Sequence, residues 1–159
     1  VMAIAIYEEF KELTPAGALG DKMIQNLADR LVGVDLLDQA AALLDGQIKY
    51  RLQGAEKARV GARLALVHLL EQKYKEAEQA IRTTVAPGLT PELARQRSHL
   101  LVQALMSQKR YADALAVIEK DESLDGELLR SEVYWTMGDW NEAACSEDNR
   151  STGNRPVTC

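Results

Sequence analysis

The chain has 159 residues, 47% hydrophobic, 27% charged and 5% aromatic, with a formal net charge of −5. That apolar content excludes wholesale disorder, and one Phe, two Trp and five Tyr are few for a β-sandwich or barrel. The acidic balance argues against a nucleic-acid backbone as partner, because phosphate binding needs a basic surface.

Taken in chain order, the elements read as amphipathic helices in pairs. The opening stretch from Val1 is apolar for six residues, then turns acidic with no basic flank, so it is not a signal peptide. Its part from Ala3 to Leu13 reads as the second helix of a pair whose first helix is missing. The segment is therefore expected to be a piece of a longer array. Thr14, Pro15, Gly17 and Gly20 form a break, with Asp21 placed to cap the next helix. Ile24, Leu27, Ala28 and Leu31 then fall on one helical face. Gln53 and Gly54 mark a weak second break, across which residues 48–63 could run on as one helix. Leu64, Ala65 and His68 lie on the next first helix. Pro87, Gly88, Thr90 and Pro91 make the third break, with Thr90 as N-cap and Pro91 at the first helical position. Leu101, Val102 and Leu105 come next, and residues 123–126 form the fourth break. Each helix is expected to span roughly 12–16 residues, inside the usual range.

An internal repeat orders these pairs. Ala3, Ala40, Ala77 and Ala114 are separated by three equal intervals of 37 residues. Three residues before the last three stand Leu37, Tyr74 and Tyr111, and four residues after each of the four alanines stand Tyr7, Leu44, Ile81 and Ile118. A less regular unit puts Trp140 before Ala143, after a shorter interval of 29 residues. Self-similarity at such a period is the signature of stacked supersecondary units. Small residues at these places let two helices approach closely.

The adjacent pairs Leu27–Ala28 and Leu64–Ala65, the large residue three before each second-helix alanine, and the stretch LALVHLLEQKYKEAEQAI resemble the tetratricopeptide repeat family. The likeness covers most of residues 1–144, but the 37-residue interval departs from the family's period of about 34. The resemblance implies an all-α fold of αα-hairpins stacked into a right-handed superhelical solenoid, here a piece of a longer bacterial repeat protein. The expected organisation is a partial unit at 1–15 and repeats at about 21–53, 56–88, 91–122 and 124–144. Residues 145–159 leave the pattern and read as a disordered or non-native tail.

No run approaches the ~20 apolar residues of a membrane helix, so no membrane segment is expected. Cys145 and Cys159 form no C-x-x-C, and the histidines are only His68 and His99, which gives no support to a zinc site or a disulfide framework. The chain is compatible with a reducing, cytoplasmic setting. No nucleophile motif, phosphate loop or metal constellation is visible, so neither enzyme activity nor a cofactor is expected. The acidic pairs Glu8/Glu9, Asp121/Glu122 and Glu147/Asp148 are sequence neighbours that point apart on a helix and read as solvated charge. His68 reads as a buried, hydrogen-bonded histidine and His99 as exposed.

In the family that the chain resembles, first helices line a concave groove that holds a protein or peptide. Carried over, the candidate partner-binding residues are Lys22, Asn26, Asp29, Arg59, Arg63, His99 and Gln103, with Gln25, Leu66 and Gln96 beside them. Asn26, Arg59 and Arg63 resemble part of the family's carboxylate clamp, whose remaining positions lie before Val1 or do not match. The alternative is that Arg59 and Arg63 solvate a helix and pair with Glu56 or Asp29. The expected function is a scaffold or adaptor that binds a protein or peptide. The other readings are a chaperone-like holder of a secreted or unfolded client, or the non-catalytic arm of a larger enzyme.

Overall fold

The computed structural model describes residues 17–119 and 121–138. Among these residues all regular secondary structure is helical: α1 (Ala18–Gly33), α2 (Leu37–Tyr50), α3 (Gly54–Leu70), α4 (Tyr74–Thr83), α5 (Pro91–Ser107), α6 (Tyr111–Ile118) and α7 (Leu124–Met137). Each helix packs on the next in the chain, and α3 and α5, like α5 and α7, also touch directly. The partial unit at 1–15, the pair Trp140/Ala143 and the tail with Cys145 and Cys159 lie outside the described residues.

Three tight turns join α1 to α2, α3 to α4 and α5 to α6, and all are built alike. Each has one residue in the left-handed region: Asp35 (φ 61°), Gln72 (φ 60°) and Lys109 (φ 60°). The next amide reaches back five residues, from Leu36 to the Leu31 carbonyl (2.9 Å), from Lys73 to His68 (2.8 Å) and from Arg110 to Leu105 (2.9 Å). A second bond, such as Asp35 N–H to the Val32 carbonyl at 3.1 Å, completes a Schellman motif that satisfies the carbonyls at the helix end. Glycine takes this conformation without strain, but all three positions carry side chains. Gln72→Gly is therefore expected to stabilise the fold by about 0.5–1 kcal/mol, read as a higher urea midpoint with an unchanged slope. Gly138 (φ 80°) supplies the left-handed residue after α7.

Close approach of the paired helices follows from the alanines. Ala40, Ala77 and Ala114 are all fully buried, and so are Ala58, Ala65 and Ala104. The core runs in two clusters. One joins α1 to α5 through residues such as Ile24, Leu44, Val60, Leu64 and Ile81, and the other joins α5 to α7 through Val102, Leu105, Ile118 and Val133. Leu101 packs against both. Helix α5 is thus buried on two sides, with Leu100 and Ala104 facing back along the chain and Val102 and Leu105 facing forward.

The N-cap expected at Thr90 is present: its Oγ1 accepts from Leu93 N–H at 3.3 Å, and Pro91 opens α5. The cap expected at Asp21 is not. Helix α1 begins at Ala18, and the Asp21 carboxylate instead accepts from Arg51 Nε at 2.7 Å, thirty residues on. Residues 51–53 separate α2 from α3, and Gly54 opens α3 at φ 57°, so no single helix crosses that break.

Helices α4 and α6 are short, at 10 and 8 residues, and a buried or half-buried arginine meets the end of each. Arg97 of α5 is 5% exposed. Its guanidinium donates to the carbonyls of Ala58 and of Ile81 (2.6 Å) and to Thr84 Oγ1 (3.1 Å). Thr84 Oγ1 in turn donates to the Ala80 carbonyl at 2.6 Å. A cation at the C-terminal end of α4 satisfies the Ile81 carbonyl, which the helix leaves open, and favours the helix dipole. Burial pushes the guanidinium below its ordinary pKa, but Arg remains charged in proteins. Gly61 makes room for this knot, since a Cβ there would collide with Thr84 Oγ1. Arg130 repeats the device at α6, donating to the carbonyls of Ile118 (2.8 Å) and Asp121 (2.7 Å).

Ion pairs tie the turns to the preceding pair of helices: Lys73 to Asp38 at 2.6 Å and Arg110 to Glu78 at 2.7 Å. Burial raises the pKa of Glu78, but the Gln108 amide and the guanidinium groups of Arg82 and Arg110 outweigh it and hold the carboxyl below its usual value. His68, expected to be buried, is half-buried, with Nδ1 2.9 Å from a Glu71 carboxylate oxygen.

Candidate functional site

Helices α1 and α3 are the first members of successive pairs, and a cleft of about 650 Å³ opens between them. Its walls follow from helical spacing. Lys22, Asn26 and Asp29 lie one turn apart on α1, and Arg59 and Arg63 lie one turn apart on α3. Their apolar neighbours Ile24, Ala28, Val60 and Leu64 turn inward and are buried, which leaves this polar stripe facing out. The cleft brings together five of the seven predicted residues: Lys22, Asn26, Asp29, Arg59 and Arg63.

His99 and Gln103 are not part of it. They sit one turn apart on the exposed face of α5, where Gln103 Nε2 donates to His99 Nε2 at 3.2 Å. His99 lines a separate recess of about 250 Å³ between α5 and α7, along with Gln96, Asp121 and Asp125.

Both arginines of the α1–α3 cleft are paired. Arg63 Nη2 donates to Asp29 Oδ1 across the cleft, and its Nη1 reaches Gln25 Oε1 at 3.4 Å. Arg59 donates to Glu56 on its own helix. These are the partners that a helix-solvating role would give the two arginines. Both pairs are open to water, with side-chain exposures of 37% and 53% for Arg63 and Asp29 and of 54% and 55% for Arg59 and Glu56. Exposed pairs of this kind contribute little to stability, about 0–1 kcal/mol.

Sequence reasoning placed Leu66 beside the groove but did not single out Leu70. Leu66 is 46% and Leu70 53% exposed. The order Arg59, Arg63, Leu66, Leu70 steps by four, three and four along α3, so the four share one face about 16 Å long. A charged half is followed by an apolar half. The signal was available as that spacing, in which leucines stand where a solvated helix needs polar groups.

No protein-family model, curated protein or solved structure matches the chain. Among the described residues, no group of three or more His, Cys, Asp or Glu is placed to hold a metal ion, and no helix is long and apolar enough to cross a membrane.

Proposed function

We propose that the chain is a protein-interaction module in which α1–α2, α3–α4 and α5–α6 are units of a tetratricopeptide-like solenoid. The three Schellman turns at 37-residue steps and the buried Ala40, Ala77 and Ala114 support the repeat. The partner is an acidic, leucine-rich segment of another protein, held along α3. Its carboxylates meet Arg59 and Arg63, whose planar forks suit bidentate bonding, and Lys22 adds charge from α1. Its apolar side chains cover Leu66 and Leu70. The role is recognition, without chemistry. A preformed helical wall lowers the ordering cost of binding to that of the peptide alone.

The observation that carries this proposal is the single α3 face with two arginines followed by two exposed leucines. A displayed peptide library, selected on the purified chain, is expected to enrich segments with carboxylates next to leucine or isoleucine. Arg63→Glu is expected to weaken the enriched peptides at least tenfold while the melting temperature moves by no more than about 2 °C, as surface substitutions do. Enrichment of basic peptides, or equal affinity for Arg63→Glu, rejects the proposal.

A further inference from the structure

We infer that Asp29 and Glu56 are built-in competitors that occupy the two arginines until a partner's carboxylates displace them; this rests on the acidic-peptide proposal above. Three cations, Lys22, Arg59 and Arg63, share the cleft with three carboxylates, Asp21, Asp29 and Glu56. Asp21 is already committed to Arg51. That leaves Asp29 on Arg63 and Glu56 on Arg59.

Such pairing of both arginines has a binding consequence. A partner carboxylate that reaches Arg63 makes no additional ion pair; it exchanges for one. The arginines' share of the affinity is then set by the difference between two similar contacts, and it adds little to the salt dependence of binding. The exchange is feasible because both pairs are open to water and each is individually weak. It also has a mechanical side. Asp29 lies on α1 and Arg63 on α3, so their contact draws the walls of the cleft together. Displacing Asp29 removes that bridge, while the Arg63–Gln25 contact and the shared core still hold α1 in place. Glu56 and Arg59 are on the same helix, and their exchange frees a guanidinium without moving a wall. The two carboxylates are therefore unequal: Glu56 pairs within one helix, whereas Asp29 also bridges the two walls.

The test uses a fluorescein-labelled peptide of four glutamates followed by two leucines, with binding read by anisotropy. The chain is compared with Asp29→Asn, Glu56→Gln, the double variant, Arg63→Gln and Asp29→Asn/Arg63→Gln. The double variant is expected to bind about tenfold tighter than the parent chain and with a steeper salt dependence. The gain from Asp29→Asn is expected to vanish when Arg63 is glutamine, since the competitor then has nothing to occupy. A gain of equal size in both backgrounds shows a general loss of negative charge and overturns the inference. So does tighter binding in neither single variant nor the double one. Absence of binding by every variant overturns the acidic-peptide proposal and this inference with it.

Discussion

Arg97→Ala is expected to cost about 2–4 kcal/mol and to lower the melting temperature by roughly 10 °C. The substitution removes the donor shared by the Ala58 and Ile81 carbonyls and Thr84 Oγ1, and it leaves a void between α3, α4 and α5. Two effects oppose each other here. Desolvating a guanidinium is expensive, so the wild-type arrangement starts from a penalty. Against that, buried carbonyls stripped of their donor lose more than a neutral bond's worth of free energy. Loss of the donor wins, because three buried acceptors lose a bond at once and the Ile81 carbonyl keeps only a 3.5 Å contact from Thr84 Oγ1. Arg97→Lys should recover little, since one ammonium cannot span both sides of the fork. Arg97→Met should lose less than Arg97→Ala because it fills the volume. A thermal melt of Arg97→Ala within about 2 °C of the parent chain would show that water replaces the guanidinium without cost.

A second large effect is expected at Ala77. Ala77 is fully buried in the first turn of α4, where its amide donates to the Lys73 carbonyl at 3.0 Å. Ala77→Arg forces a long charged side chain into the space between paired helices. Overpacking and an unpaired buried charge together cost at least about 4 kcal/mol, a large share of a domain's whole stability. The expected result is loss of a cooperative transition in urea. Lys75→Ala, on the exposed side of the same turn, serves as the control and should shift stability by no more than about 0.5 kcal/mol. A normal transition for Ala77→Arg would remove the close helix approach on which the repeat assignment depends.

Much of the local architecture is legible in the residues. Thr90 and Pro91 announce the start of α5 because a cap and a fixed φ are local properties. The alanines announce the close contacts because only a small side chain fits there. Long-range chemistry is not legible in the same way. Asp21 has the composition of a cap, but Arg51 takes its carboxylate, and nothing near Asp21 in sequence says so. The end of α4 is met by Arg97, thirteen residues beyond Thr84 in the chain. One signal was there: Arg97 is in helical register with Leu93, Leu100 and Ala104, so a charge interrupts an apolar stripe. Val60, 37 residues earlier, is fully buried, so the cation stands where the 37-residue spacing of the sequence puts a hydrophobe.

The candidate site divides similarly. Its two walls could be drawn from spacings of three and four. Separation of His99 and Gln103 from the other five residues could not, because it depends on α3 packing directly on α5 while a cleft opens between α1 and α3. Pairing within the cleft was one of two readings of the same residues, and Asp29 and Glu56 are the partners that it named.

The packing of each helix on its successor has a consequence for how the chain reaches this state. Most contacts join residues close in sequence, so each hairpin closes a short loop and sacrifices little chain entropy before it is rewarded. A polypeptide of this kind can begin to organise as soon as one hairpin is complete, and it needs no distant segment to do so. It can also come apart in the same order, with one end opening while the cluster at the other keeps its packing. Because α5 belongs to both clusters, it is the place where such unravelling would pause.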